Sequence, residues 1–118
     1  MREFNTGATR DTDTGKLSYA KCLSPAVLRR YLEYMGKHRK QADGNMRDWD
    51  NWKKGIPLDV YLDSLVRHVW DLWLVYEEEE PSDKGATMDD LLCAILFNSM
   101  GMLHELLRTE EQTECSDE

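Results

Sequence analysis

Ser64, Arg67, His68 and Asp71 stand at i, i+3, i+4 and i+7 of a predicted helix, on one stripe beside its apolar face. A cation, an imidazole and a carboxylate that converge there can hold a phosphate, move a proton and bind a metal. His68 and Asp71 are therefore candidate catalytic groups, and Arg67 is a candidate phosphate ligand. The plainer reading of the same spacing is an exposed Arg67–Asp71 ion pair beside a core histidine. Asp90 is a second candidate metal ligand with Asp71, although its place three residues after Thr87 equally suits a shortened capping box. Asn98 lies in the most apolar stretch, where an amide without partners costs about 1–3 kcal/mol. It bonds a backbone, a second chain or a ligand, and Gly101, one turn on, permits close approach to any of them.

Outside the helices, Trp49, Asn51 and Trp52 stand in a polar segment. Indoles in such a position stack on a planar ligand such as a base, or else pack beneath their own loop. The N-terminal arm contains a Gly15-Lys16 pair but no Walker loop, because that pattern requires Gly where Arg10 stands and Ser or Thr where Leu17 stands. What remains is a pair of cations, Arg10 and Lys16, among small residues whose backbone amides can cradle an anion. The arm is expected to fold over the polar face of the helix that carries Arg67. If it does not, the basic run Lys37, His38, Arg39, Lys40 is the next place to look for a phosphate.

These residues need elements to position them. Residues 1–20 have no apolar period and read as an extended arm. Ser24-Pro25 opens a helix over about 25–39, with Val27, Leu28, Tyr31, Tyr34 and Met35 at helical spacing. Residues 40–57 form a polar connection containing Asp43-Gly44. Pro57 starts a second helix to about Glu78, with Leu58, Leu62, Leu65, Val69, Leu72 and Tyr76 at intervals of three and four. Glu77 to Glu80 and Pro81 end it. Thr87 caps a third helix that runs to about Arg108 and is apolar on every side in its first two turns, which makes it the central one. Residues 109–118 read as a disordered acidic tail. The fold expected is all-α, a single helical domain over 1–108 with three main helices and an arm. So small a set cannot cover its central helix, so a dimer or higher oligomer is expected.

Composition narrows the function. With 118 residues the chain is one domain, and its net charge of −8 argues against nucleic acid as a partner, because duplex recognition needs a basic footprint. The charge is uneven: residues 1–58 hold twelve Lys and Arg against seven Asp and Glu, a net +5, while residues 59–118 hold three against sixteen, a net −13. A basic half and an acidic half can divide a phosphate and a cation between them, or can simply attract each other. The longest uninterrupted apolar run, Leu91 to Phe97, is shorter than the roughly 18–20 residues a bilayer requires, and the N-terminus has no secretory pattern, so no membrane partner and a cytoplasmic location are expected. Cys22, Cys93 and Cys115 fit neither a disulfide framework nor a zinc site and read as reduced thiols.

Four segments together resemble a known family. REFNTGATRDTDTGK at 2–16, DNWKKGIP at 50–57, RHVWD at 67–71 and CAILFN at 93–98 are similar, in order, to the phage and prophage domain called dATP/dGTP diphosphohydrolase, N-terminal. The likeness spans residues 2 to about 107. It implies a nucleotide pyrophosphohydrolase acting on purine deoxynucleoside triphosphates in the cytoplasm of a bacterial host. Under that expectation Arg10, Lys16 and Arg67 neutralise phosphates, Asn51, Trp52 and Asn98 contact the nucleotide, and Asp71 with Asp90 holds Mg²⁺ or Mn²⁺. His68 then orients or deprotonates water. A more distant template is the MazG-like all-α pyrophosphohydrolases, which hold Mg²⁺ with ExxE and ExxD carboxylates on two helices. This chain departs from both motifs, offering Asp59, Asp63 and Asp71 on one helix and Asp89-Asp90 on the other. The departure leaves a second expectation open: a phage protein that sequesters a nucleotide or nucleotide-derived signal without turning it over.

Overall fold

A computed structural model of the protein describes residues 1–116, with side chains as far as residue 111. It is mostly helical, as the periodicity predicts. Arg2–Glu3 (β1) and Thr9–Arg10 (β2) form a small antiparallel pair. A single turn, Tyr19–Cys22 (α1), precedes the three main helices, Pro25–Lys37 (α2), Leu58–Tyr76 (α3) and Met88–Ser116 (α4).

Local chemistry starts and stops these helices where the residue types say it should. The Ser24 hydroxyl accepts from the Val27 N–H at 3.3 Å with Pro25 at the first helical position, and the Thr87 hydroxyl accepts from the Asp90 N–H at 3.2 Å. At the end of α3 the chain reverses through Glu78 in a left-handed conformation, φ 61°. The Glu79 N–H bonds to the Leu74 carbonyl and the Glu78 N–H to the Val75 carbonyl, the paired pattern of a Schellman cap. Glycine is the usual occupant of that position; here a glutamate takes it, in an acidic run facing the negative end of the helix dipole.

Helix α4 is the centre: α3 packs antiparallel along it and α2 lies against its N-terminal half. The shared seam is Tyr61, Ser64, His68 and Asp71 on α3 against Leu91, Ala94, Asn98, Gly101 and Glu105 on α4, spaced by threes and fours on both helices. Gly101 is there because the Tyr61 ring lies across it; a Cβ at this position would fall inside the ring. Over Met88–Glu111, 24 residues, α4 is also long and apolar enough to cross a bilayer by length and composition, a property the shorter uninterrupted run does not reveal.

Two expectations are corrected. The arm does not cover α3: it folds on itself, with the Arg2 guanidinium donating to the Asp11 carbonyl at 3.1 Å, and every residue from Glu3 to Arg29 is exposed. Its own hydrogen bonds supply the order that apolar contacts do not. The tail does not turn to coil at residue 109, because α4 continues through Ser116. No Gly or Pro interrupts residues 102–116, and extending a formed helix requires no new nucleus. Asp117 and Glu118 lie outside the described residues.

Candidate functional site

Trp49 and Trp52 close one side of a cavity of about 280 Å³ between α2 and the α3–α4 hairpin. Asn51, Asn98, Ser64 and His68 also line it, so Trp49, Asn51, Trp52, Ser64, His68 and Asn98, all singled out from sequence, meet there. Each wall is built by a separate device. Trp49 follows a small hairpin in which Lys40 pairs with Met46 around Asp43-Gly44, and its ring lies on Gly36, whose absent side chain leaves the space. The Arg39 guanidinium stacks over the same indole, 4.6 Å from its centroid, and donates to the Arg47 carbonyl at 2.7 Å. A 3-10 turn, Asn51–Lys54, carries Trp52, which meets Phe97 and His104 edge-on at centroid distances of 6.3 and 4.9 Å. Glu105 fastens the end of this loop: one carboxylate oxygen accepts from the Ile56 N–H at 3.4 Å, the other from Arg108 at 2.6 Å.

A second cavity, about 400 Å³, adjoins the first, since Tyr34, His38 and His68 line both. Lys37 and Lys84 add cations to it, and Asp83 and Asp90 add carboxylates. The Tyr34 and His38 rings sit 4.3 Å apart on the shared wall. His68 is the other shared group. Its Nδ1 is buried with no hydrogen-bond partner among the described residues, and burial, with Arg67 beside it, lowers its pKa, which favours the neutral imidazole. The Asn98 side-chain nitrogen donates to the Ala94 carbonyl of its own helix at 2.8 Å, which satisfies the buried amide while leaving it on the cavity wall.

The other predicted site residues go elsewhere. Arg10 and Lys16 are exposed on the arm and line neither cavity. Arg67 is exposed and pairs with Asp63 at 3.8 Å, so the Arg67–Asp71 pair suggested by spacing is not the one formed. Asp71 is 4% exposed; its two oxygens accept from the Ser82 N–H at 2.9 Å and the Asp83 N–H at 3.4 Å. These backbone donors hold its carboxyl below the usual carboxylate range. Asp90 accepts from Arg30 at 2.7 Å, which depresses its pKa likewise. Both carboxylates are thus committed to protein donors, Asp71 tying down the α3–α4 connection and Asp90 joining α4 to α2. To hold a divalent cation as a pair they would have to share or give up these bonds.

Of the basic run Lys37 to Lys40, expected second to the arm, Lys37, His38 and Arg39 line the two cavities, and Arg47 joins them unforeseen. The signal was present: Asp43-Gly44 sets Arg39 and Arg47 four positions to either side of Asp43, the pairing a hairpin about that turn produces. No protein-family model, curated protein or solved structure matches the chain.

Proposed function

We propose that the protein binds a purine deoxynucleotide, with the base in the tryptophan-lined cavity and the phosphates in the adjoining one, beside Lys37 and Lys84. One observation carries this reading: an aromatic cavity and a cavity with two lysines share the wall Tyr34–His38–His68. At about 280 Å³ the first lies at the lower edge of the roughly 300–1,000 Å³ of small-ligand sites. It has room for a planar base beside Trp49, with the Asn51 and Asn98 amides in reach of its polar edge. A whole nucleotide must extend past His38 and His68, toward Lys37 and Lys84. The resemblance to dATP/dGTP diphosphohydrolase N-terminal domains points to the same ligand class. Because Asp71 and Asp90 already accept from protein donors, binding without turnover, as a sequestering phage protein in a host cytoplasm would perform it, is the reading the geometry supports best.

Hydrolysis is favoured by a single observation, the neutral His68 with its unpartnered Nδ1. In that case a water oxygen bonds to the α-phosphorus, its proton passes to His68, the bond to the bridging oxygen breaks and pyrophosphate leaves. No step is routed through Mg²⁺ or Mn²⁺, since both candidate ligands already accept from protein donors.

Calorimetry with dATP and dGTP in EDTA, followed by incubation with Mg²⁺ or Mn²⁺ and chromatography of the nucleotide, separates the readings. Binding in EDTA with the triphosphate recovered intact supports sequestration. Monophosphate and pyrophosphate that disappear in His68→Gln support the enzyme. Neither heat nor product overturns both.

A further inference from the structure

Arg39 and Arg47 both line the tryptophan-lined cavity, and no ion pair among the described residues reaches either guanidinium. The hairpin between α2 and Trp49 holds them together. The Arg47 N–H donates to the Arg39 carbonyl at 2.7 Å, the Arg39 Nε donates to the Arg47 carbonyl at 2.7 Å, and the Arg47 Nη1 donates to the His38 carbonyl at 3.4 Å. Each side chain is therefore anchored on backbone oxygen, and its other N–H groups make no hydrogen bond among the described residues.

Carboxylates stand close by but are turned elsewhere. Asp43 gives its two oxygens to the N–H and the side-chain amide of Asn45, at 3.0 and 3.2 Å, and Asp48, on the cavity wall, pairs with neither arginine. Other arginines of the molecule do find such partners: Arg30 bonds Asp90 and Arg108 bonds Glu105. Like charges fixed side by side without a counter-ion cost energy, which an anion between them removes.

The two cavities differ in this respect. Lys37 and Lys84 share the walls of the second with Asp83 and Asp90, whereas the first sets Arg39 and Arg47 against Asp48 alone. Cations thus lie on both sides of the wall Tyr34–His38–His68, and the excess of positive charge lies on the side of the indoles. A nucleotide whose phosphates all hang from its 5′ carbon engages the lysines and leaves the arginines without a counter-ion.

We propose that Arg39 and Arg47 form a second phosphate subsite, so that the ligand is a deoxynucleotide with phosphate on both sides of its sugar. That unit is a 3′,5′-bisphosphate, free or within a dinucleotide. The inference rests on the nucleotide reading above, with the base beside Trp49 and the 5′ phosphate beside the lysines. A guanidinium suits the added group, because its planar fork offers paired N–H donors to two oxygens of one phosphate. Arg47 is the better probe of the two. It is exposed and its guanidinium touches the fold through one long bond, while Arg39 also stacks on Trp49.

Calorimetry of the full chain in EDTA with dAMP, deoxyadenosine 3′,5′-bisphosphate and the 5′-phosphorylated deoxyadenosine dinucleotide tests the subsite. The bisphosphate should bind about 10- to 150-fold more tightly than dAMP, the worth of one hydrogen bond to a charged group. Arg47→Gln should erase that advantage and leave the Kd for dAMP nearly unchanged, with the helical signal intact; Arg47→Lys should restore it only in part. The dinucleotide separates the two sources: binding at least as tight as that of the bisphosphate assigns the linked form, and weaker binding assigns the free one. Equal affinities for dAMP and the bisphosphate, or an advantage that survives Arg47→Gln, overturns the subsite and leaves the nucleotide reading standing. No heat from any of the three overturns that reading and the subsite with it.

Discussion

His68, Trp49 and Asp71 are each a single side chain on which a reading turns. The Arg39 guanidinium and Gly36 hold the Trp49 ring in place, so its indole is a preset planar face for the proposed base. Trp49→Ala should raise the Kd for dATP or dGTP by about 5- to 150-fold, the range of one lost base–aromatic stack, with the far-ultraviolet spectrum unchanged. An unchanged Kd would show that the base binds elsewhere. Asp71 is a brace between α3 and the loop that follows it. Asp71→Ala should lower stability by about 1–3 kcal/mol, because two backbone N–H groups lose their acceptor, and chemical denaturation should give the same loss with or without Mg²⁺. A loss that appears only when Mg²⁺ is present would restore Asp71 as a metal ligand.

At the scale of elements, the α3 terminus and the arm make separate claims. Glu78 holds a left-handed conformation that costs a non-glycine residue about 1–2 kcal/mol, against roughly 0.5–1 kcal/mol of extra chain entropy for glycine. Removing its charge also relieves the negative end of the dipole. Glu78→Gly should therefore raise stability by about 1 kcal/mol in urea titration, and a lower midpoint would contradict the cap. The arm carries its order internally and touches neither cavity, so deletion of residues 2–16 should leave both helicity and nucleotide affinity intact. Lost affinity in the truncated chain would mean that Arg10 or Lys16 reaches the ligand after all.

Acid stability belongs to the whole molecule, since its ionisable braces join three helices. His68 has a folded pKa below 6.5, so its contribution is complete above that value and is lost as pH falls through the folded value. Asp71 and Asp90 have folded values below 3.8; their contributions are complete above 3.8 and vanish as pH falls through those lower values. Stability should thus decline in two stages, beginning below pH 6.5 and steepening below pH 3.8, and His68→Gln should remove the first. A flat wild-type profile from pH 7 to 4 would refute the burial of His68.

How much of this was legible in the sequence depended on the range of the interactions. Helix starts at Ser24-Pro25 and Thr87 are local chemistry, a hydroxyl reaching an N–H three residues on, and they lie where those residue types require. The stripes of α3 and α4, Asn98 on its apolar helix and the pair of indoles were readable for the same reason: period and side-chain type are properties of the chain alone. Partner choice is not. Arg67 turns to Asp63 instead of Asp71, because Asp71 is drawn into the loop from Ser82; Asp90 meets Arg30 from 60 residues away. Whether the arm or the 39–47 hairpin supplies cations to the cavity likewise depended on which segment folds against α2. Sequence determined which residues have the chemistry the proposed site needs, through their side-chain types and their phase on each helix. Tertiary structure decided which of them meet, because a carboxylate or guanidinium is satisfied by whichever opposite partner the long-range packing brings within about 3 Å.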